Sequence, residues 1–293
     1  MSTWKTIEVH EFIKVDKVEK YLGAEIIIDP RIQWLEKDKS YLQYLLYNFK
    51  VLIIKNQNLN DKELKKLASN FGDFFTTNKA NPTLGSVDNS SPVVIVGNKA
   101  DEFELSYLGN QEVLPHSDHQ WLEKPSSVSL LYALDIHNGA APTIWYDMEK
   151  IYDALPTDIK NKINPLKILT YNPFFRPFGS VSAKYVDRYL DVPQGETYDH
   201  PLVRTHPFTD RKSLYLHKAY EMEFIGLSVK EGKQLMKFLH KHIEELPFKY
   251  VHQWKNNDIV IWDNRSTIHY RPTFNENIRR VLKRISIAGE KPF

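Results

Sequence analysis

The stretch LPHSDHQW at residues 114–121 carries two histidines on either side of an aspartate, residue types that bind metal ions. On a β-strand the side chains of residues i and i+2 point to the same face, so His116 and Asp118 share a face and His119 points to the other. A histidine from a distant segment would complete a set of two histidines and one carboxylate, which holds Fe(II) and leaves coordination positions open. The candidate for that ligand is His269, which follows a strand-like run and a polar turn.

The composition narrows the chemistry further. None of the 293 residues is a cysteine, so disulfides, thiolate ligands and a cysteine nucleophile are excluded, and a metal must be held by His, Asp or Glu. The 39 basic and 37 acidic residues nearly balance, which gives no sign of a nucleic-acid partner. The N-terminus carries no secretory signal and no apolar run is long enough to span a bilayer, so we expect a cytoplasmic protein without a membrane partner.

Short β-type segments, separated by Pro, Gly, Asn and Asp turns, dominate the chain after residue 113. They indicate a sandwich or barrel, and we see no repeat or linker that would divide the single domain predicted for residues 1–293. Segment 171–200 has no sustained period and is long for a loop, so we interpret it as a lid over a pocket; the alternative is a hydrophobic patch packed against the barrel. Helices are predicted at 40–49, 60–72, 148–156 and 229–246. Strands are predicted at 50–56, 92–97, 127–134, 142–147, 202–208, 213–217, 258–263 and 281–288.

Two arginines share one face of the last predicted strand. In the run RRVLKRISIA, Arg280 and Arg284 alternate with Leu282 and Ser286 on one face, while Val281, Ile285 and Ile287 lie on the other. Two cations on an otherwise apolar strand are costly unless an anion meets them, and the planar guanidinium suits a carboxylate. The alternative is a surface strand with two solvated arginines. The closeness of this strand to His269 favours an anion site.

Several stretches from about residue 50 to the C-terminus resemble the Fe(II)/2-oxoglutarate dioxygenases of the taurine dioxygenase (TauD/TfdA-like) family. They include KVLIIKNQNL, LPHSDHQW and, most specifically, the segment from DIVIWDNRSTIHYRP to RRVLKRISIAGEKPF. The resemblance implies a mainly β fold with flanking helices, a double-stranded β-helix (jelly roll). It also implies the cofactors Fe(II), 2-oxoglutarate as cosubstrate, and O2.

The resemblance further implies a role for individual residues. His116, Asp118 and His269 fall on the family's metal ligands. Arg280, eleven positions beyond His269, falls on the arginine that binds the distal carboxylate of 2-oxoglutarate, and Thr143, 27 positions after His116, falls on the threonine that assists it. No catalytic residue is expected beyond these metal and cosubstrate ligands.

Three features bear on that transfer of roles. The chain reads GAAPT where family members often have a Gly-Asp pair before the threonine, which leaves the spacing of Thr143 intact. Related oxidases bind 2-oxoglutarate through an Arg-x-Ser pair, and Arg284 with Ser286 fits that alternative, so Arg284 is also a cosubstrate candidate. Asp118 is retained, whereas halogenating relatives replace it, so halogenation is not expected.

The substrate is predicted to be a small anionic molecule, and an amino-acid derivative is favoured. Arg284, and Arg176 in the lid segment, would meet an anion, while Phe174, Phe175 and Phe178 would meet an apolar or aromatic body. An isonitrile, as in the PvcB-like branch of the family, fits this profile and would place the enzyme in secondary metabolism. The reaction would be hydroxylation or desaturation with release of succinate and CO2. Further candidates for substrate contact, upstream of the metal ligands, are Tyr107 and Asn110.

Three alternatives compete with this interpretation. The first is a taurine or alkylsulfonate dioxygenase. The second is a Zn-dependent hydrolase on a similar ligand set, which lacks a general base and gives Arg280 and Thr143 no role. The third is a barrel that binds a ligand without turnover. The only partner that the sequence predicts is a small molecule; it leaves open whether the chain forms a homo-oligomer.

Overall fold

The structure is a computed structural model that describes residues 11–75, 91–98, 107–172, 185–186, 197–220 and 222–293. In these ranges the chain forms seventeen β-strands and five α-helices, so the mainly β prediction is confirmed. No helix in the described ranges combines the length and the apolar character needed to cross a membrane.

The larger of two facing sheets has eight strands in the order β1-β2-β3-β15-β7-β17-β4-β5. Its neighbours pair antiparallel except for β2 with β3 and β4 with β5. The central strands β3 and β15 are almost entirely apolar because both of their faces are buried. The eight strands are β1 (Ile13–Val18), β2 (Ala24–Ile28), β3 (Val51–Ile54), β4 (Val94–Gly97), β5 (Tyr107–Leu108), β7 (Val128–Ile136), β15 (Ile259–Asp263) and β17 (Arg280–Ile287).

The smaller sheet has four antiparallel strands in the order β14-β8-β16-β6. Its inner face packs on the larger sheet through a buried cluster in which Trp145 from the small sheet meets Trp262 and Leu282 from the large one. These two facing sheets form the predicted jelly roll. Both sheets contribute side chains to the candidate site. The four strands are β6 (Val113–His116), β8 (Thr143–Asp147), β14 (Lys249–His252) and β16 (Thr267–Arg271).

Helices cover the outer faces of the two sheets. Helices α1 and α2 pack on the large sheet, and α3 and α5 pack beside the small one with α4. Two further small sheets, β10-β9-β13 and β11-β12, complete this second layer. The helices are α1 (Glu36–Phe49), α2 (Asp61–Ala68), α3 (Met148–Asp153), α4 (Thr157–Ile163) and α5 (Val229–Glu245). The remaining strands are β9 (Lys167–Thr170), β10 (Tyr198–Pro201), β11 (Val203–Thr205), β12 (Lys212–Leu214) and β13 (Met222–Ile225).

Most predicted elements occur close to their predicted bounds. Helix α2 begins as expected, because the Asn60 side chain accepts a hydrogen bond from the Glu63 backbone and caps the helix. The segments 202–208 and 213–217 form shorter strands than predicted. The first ends at Thr205 because the next residue, His206, turns inward to bond the Asp263 carboxylate at 2.8 Å.

The predicted lid segment 171–200 lies mostly outside the described residues, and so do Phe174, Phe175, Arg176 and Phe178. Tyr185 and Val186 are described and buried. Val186 donates a backbone hydrogen bond to Met222 at 2.8 Å, and the Tyr185 hydroxyl accepts one from the Phe224 backbone at 3.0 Å. This part of the segment is therefore fixed on β13, and the lid stays a prediction.

Candidate metal centre and cosubstrate pocket

His116 and His269 are direct cross-strand neighbours. His116 is the last residue of β6, and it pairs with His269 of β16, so their ring centroids lie 4.1 Å apart. His116 Nδ1 donates to the Leu114 carbonyl at 2.7 Å, which leaves Nε2 as the free ring nitrogen. Antiparallel pairing thus brings together two histidines that are far apart in the sequence, as the prediction of a shared site requires.

Asp118 lies just beyond the end of β6 and is held there by buried polar groups. Its Oδ2 accepts a hydrogen bond from the Ser129 hydroxyl at 2.6 Å. Its backbone N–H donates to Asn264 Oδ1 at 3.3 Å, and the Asn264 amide in turn donates to Ser129 Oγ at 2.8 Å. Asn264 is part of the WDNR turn between β15 and β16. The turn therefore fixes one carboxylate oxygen of Asp118 and leaves the other free.

The three side chains each offer one ligand atom, these atoms lie within 4.8 Å of one another, and they are the one group of this kind in the described part of the chain. Asp118 Oδ1 lies 3.6 Å from His116 Nε2 and 3.9 Å from His269 Nε2. Burial lowers the pKa of His269 to about 3, so its imidazole is neutral, which is the form that binds metals. Burial alone would raise the pKa of Asp118, but His269, His116 and the Arg284 guanidinium hold it well below its usual range.

His119 lies outside this group, as predicted, but for a different reason. The strand ends at His116, and His119 adopts a left-handed backbone conformation with a φ of 61° that turns its ring away. Its Nδ1 lies 2.8 Å from the Ser126 hydroxyl, and its ring stacks on Phe75 at 4.1 Å. Burial lowers the pKa of His119 to about 3, so it is a neutral packing residue.

Arg280 and Thr143 form a buried polar corner beside the metal group. Arg280 is 1% exposed, and its guanidinium donates to Thr143 Oγ1 and to the Ala141 carbonyl, each at 3.0 Å. Among the described residues no carboxylate forms an ion pair with it. Burial and the nearby Arg271 hold the pKa of Arg280 well below its usual range. A buried cation in this state needs an anion, and neutral partners alone do not supply one.

Trp254 completes this corner and was not predicted from the sequence. Its indole Nε1 donates to Thr143 Oγ1 at 3.0 Å. Because Thr143 Oγ1 accepts from both Trp254 and Arg280, its own hydroxyl proton is free to be donated to a third group. Trp254 lies in a loop after β14 with no periodic pattern around it, so its sequence neighbourhood carries no signal of this contact.

The side chain of Arg284 is directed at the metal group. Arg280 lies four residues before it on the same face of β17, beside Thr143. Arg284 Nη1 is 3.8 Å from Asp118 Oδ1, and its Nε is buried with no hydrogen-bond partner among the described residues. Ser286 is buried on the same strand face. The geometry thus separates two cations, one beside Thr143 and one beside Asp118.

Arg271, two residues beyond His269, is a third buried cation that sequence reasoning missed. Its guanidinium donates to the backbone carbonyls of Leu108, Gly109 and Gln111 and so fixes the loop that leads into β6. Burial lowers the pKa of Arg271 to about 10. Because Arg271 lies two residues beyond His269, strand alternation places both side chains on the same face, and this spacing could have predicted the position of Arg271 from the sequence.

The predicted substrate residues are only partly described. Tyr107 lies in β5, but its side chain is outside the described part. The Asn110 side chain donates to the Phe274 carbonyl at 3.3 Å, so it fixes a loop. Two aromatic residues that were not predicted lie near the metal group: the Tyr220 ring is 5.9 Å from His116 and 5.0 Å from the ring of Trp121.

Comparison with known proteins gives one consistent result. The profile of the family described as taurine catabolism dioxygenase TauD, TfdA family matches residues 14–286. An alkylsulfatase of Acinetobacter baylyi is 30% identical over 264 residues, which cover 87% of this chain and 79% of the relative. An alpha-ketoglutarate-dependent 2,4-dichlorophenoxyacetate dioxygenase of a Burkholderia species (strain RASC) is 28% identical and covers 82% of each chain. The crystal structure of AAD-2 in complex with Mn(II) and N-oxalylglycine superposes with a TM-score of 0.75, at 28% identity, over 96% of this chain and 98% of that one.

Proposed function

The chain belongs to the TauD, TfdA family, and from that membership we propose that His116, Asp118 and His269 hold Fe(II) in an enzyme that oxidises a small anionic substrate. The reaction class follows from the family: the protein is an Fe(II)/2-oxoglutarate-dependent dioxygenase that uses O2. The observation that carries the assignment to these residues is the buried Arg280, a cation whose described partners are all neutral, beside the group of two histidines and one carboxylate.

The three side chains fit Fe(II). Neutral imidazoles with one carboxylate form the facial set typical of non-heme iron oxygenases and leave positions for 2-oxoglutarate and O2. The bound iron supplies the oxidation of a substrate C–H bond, coupled to conversion of 2-oxoglutarate into succinate and CO2. Ser129 and Asn264 fix the orientation of Asp118, and the Leu114 carbonyl fixes the tautomer of His116.

Arg280 and Thr143 are proposed to bind the distal carboxylate of 2-oxoglutarate. The guanidinium can form a charge-assisted pair with that carboxylate, and the free proton of the Thr143 hydroxyl can be donated to it. Trp254 and Arg280 hold the Thr143 oxygen from two sides, so the donor is oriented before the cosubstrate arrives. Arg284 with Ser286 is the alternative, but Arg284 lies against Asp118 rather than beside Thr143.

The balance of charge favours an anionic substrate. Fe(II), Arg280 and Arg284 carry four positive charges, and Asp118 removes one of them. 2-Oxoglutarate brings two negative charges, so one positive charge remains uncompensated in a buried pocket. Arg284 lies at the metal group and has a buried Nε without a partner among the described residues, so we assign the anionic group of the substrate to it.

An apolar or aromatic body is proposed for the rest of the substrate. Tyr220 lies beside His116, Trp121 packs against Tyr220, and the two rings would line the pocket where the reacting carbon must sit. The names of two relatives describe an alkyl sulfate and an aromatic acid, both anions on an apolar body. The amino-acid-derived acid predicted from the sequence, including an isonitrile, belongs to the same chemical class. An alkylsulfonate or alkyl sulfate fits the pocket equally well.

The test is a panel of acids assayed for succinate formation and O2 consumption with Fe(II) and 2-oxoglutarate. The panel holds amino-acid-derived acids, aryloxy acids, alkyl sulfates, alkylsulfonates and taurine, each with a neutral analogue. We expect turnover of anions with an apolar body and little with their neutral analogues. Taurine as the best substrate, or activity confined to neutral compounds, would contradict the proposed pocket.

A further inference from the structure

A row of aromatic rings leads from the candidate metal centre toward the surface. Trp145 of β8 pairs with His269 of β16 on one side and with Tyr250 of β14 on the other, so the three residues are neighbours across the small sheet. Trp262 of the large sheet lies against this row, with its ring centroid 4.8 Å from His269 and 5.6 Å from Trp145. The rings of Trp145 and Tyr250 stack at 6.2 Å with an angle of 27°.

Among the described residues, neither tryptophan has a base beside its indole N–H, so an oxidised indole would keep its proton. Trp145 is fully buried, and its Nε1 has no hydrogen-bond partner among the described residues. Trp262 Nε1 donates to Asn264 Oδ1 at 2.9 Å, and an amide oxygen is too weak a base to take the proton. An electron can therefore leave either ring and return without any proton transfer. This property suits a residue that passes an electron on.

Tyr250, at the outer end of the row, has the base that the tryptophans lack. Its hydroxyl lies 3.0 Å from His252 Nδ1, and His252 Nε2 lies 3.2 Å from Asp258 Oδ2. Burial lowers the pKa of His252, so its imidazole is neutral at neutral pH and can accept a proton. Tyr250 also lines an open cleft of about 420 Å³ whose net charge is positive and would attract a small anion. Its charged lining residues are two glutamates, Glu19 and Glu25, and four lysines, Lys17, Lys20, Lys55 and Lys249.

We propose that Trp262, Trp145 and Tyr250 form an electron path that reduces the metal centre when it has been oxidised without a substrate to attack. The inference rests on the proposed iron site at His269. The oxidant is the centre after its reaction with 2-oxoglutarate and O2, which the dioxygenase activity supplies. Packing of the protein core would be enough to explain why the two tryptophans are buried. It would not explain why a neutral histidine, His252, lies beside the Tyr250 hydroxyl.

Each passage along the path balances in electrons and protons. One electron moves from Tyr250 through Trp145 and Trp262 to the centre, which is reduced by one electron, and the proton that this reduction takes up at the centre comes from solvent. The O–H bond of Tyr250 breaks, and its proton moves to His252 Nδ1, where the Asp258 carboxylate stabilises the imidazolium. Tyr250 is left as a neutral phenoxyl radical. A one-electron reductant with negative charge, such as ascorbate, can enter the cleft and restore the phenol with the proton that His252 holds.

The experiment uses the iron-loaded enzyme with 2-oxoglutarate and O2 but without a second substrate. Samples are frozen at intervals for electron paramagnetic resonance, and succinate is measured in the same samples. The enzyme is compared with Tyr250→Phe, which keeps the ring and removes the proton, and with Trp145→Phe, which interrupts the row. The matched control is Tyr146→Phe, a tyrosine next to Trp145 whose side chain packs on the opposite face of β8.

We expect a tyrosyl radical whose spectrum narrows when the protein contains ring-deuterated tyrosine. The signal should disappear in Tyr250→Phe and persist in Tyr146→Phe, and peptide mass spectrometry should find several-fold more oxidised Trp262 in Tyr250→Phe. Trp145→Phe should delay the radical if its circular dichroism matches that of the parent. Succinate with no radical, or a radical unaffected by Tyr250→Phe, would overturn the path and leave the dioxygenase intact. No succinate would instead contradict the proposed iron site.

Discussion

The Arg280 guanidinium and the Thr143 hydroxyl meet at 3.0 Å although 137 residues separate them in the chain. Both are buried, and Trp254 donates to the same hydroxyl oxygen from a third segment. Strands β17 and β8 belong to different sheets, so this contact joins the two halves of the jelly roll at the proposed cosubstrate site.

Replacing Arg280 should therefore weaken the binding of 2-oxoglutarate. We expect Arg280→Ala to cost about 2–5 kcal/mol in 2-oxoglutarate affinity, because a buried charge-assisted pair is lost. Arg280→Lys should recover only part of this, since an ammonium cannot form the bidentate pair. Isothermal titration with 2-oxoglutarate and Mn(II) measures both. Arg279→Ala is the control, because Arg279 pairs with Asp135 instead. A larger loss from Arg284→Ala than from Arg280→Ala would favour the alternative pair, Arg284 with Ser286.

Ser129 should matter for metal affinity although it touches no metal. Its hydroxyl donates to Asp118 Oδ2 at 2.6 Å and fixes the carboxylate. Loss of such an orienting contact typically costs about 10–100-fold in metal affinity, and we expect Ser129→Ala to fall in that range. Titration with Mn(II) measures the change. Ser127→Ala is the matched control, because the Ser127 hydroxyl donates to the Ala288 carbonyl instead. Equal losses in both variants would contradict a specific role for Ser129.

Much of this site was accessible from the sequence, because its strongest signals are local. The histidine–aspartate spacing, the WDNR turn and the arginine alternation on β17 each point to a face or an end of one element. Trp254 and Ser129 were missed because their roles depend on hydrogen bonds between segments that are distant in the chain. Strand alternation is not what separates His119 from the group, because the strand ends at His116 and a left-handed backbone turns the ring away. Nine of the seventeen strands in the described ranges were not predicted, mostly short ones whose pairing partners define them better than their own residues.

Gly232 should resist replacement by alanine even though it lies inside α5. Alanine normally stabilises an exposed helix position by about 0.5–1 kcal/mol relative to glycine. Here a Cβ would lie 1.8 Å from the Tyr185 hydroxyl, so we expect Gly232→Ala to lower the melting temperature. In a Tyr185→Ala background the obstacle is gone, and the same change should become neutral or stabilising. Destabilisation of equal size in both backgrounds would show that Tyr185 is not its cause.

Acid should destabilise the metal-free protein through its buried histidines. Burial lowers the pKa of His200 to about 4 and that of His119 to about 3, below the ordinary value of about 6.5. The unfolded chain therefore binds more protons as the pH falls below about 6.5, and the free energy of unfolding falls with it toward about pH 3. Urea unfolding at a series of pH values measures this slope. His200→Gln, which removes one such group, should flatten it, and an unchanged slope would contradict the assignment.

The central claim is that one metal ion binds His116, Asp118 and His269 while Arg280 and Thr143 hold the far carboxylate of the cosubstrate. A crystal structure of this protein with Mn(II) and N-oxalylglycine, an analogue of 2-oxoglutarate, tests it most directly. We predict an anomalous scattering peak bonded to those three side chains and a carboxylate of the analogue paired with Arg280. A metal bonded to His119, or an analogue whose far carboxylate pairs with Arg284 instead of Arg280, would contradict the account.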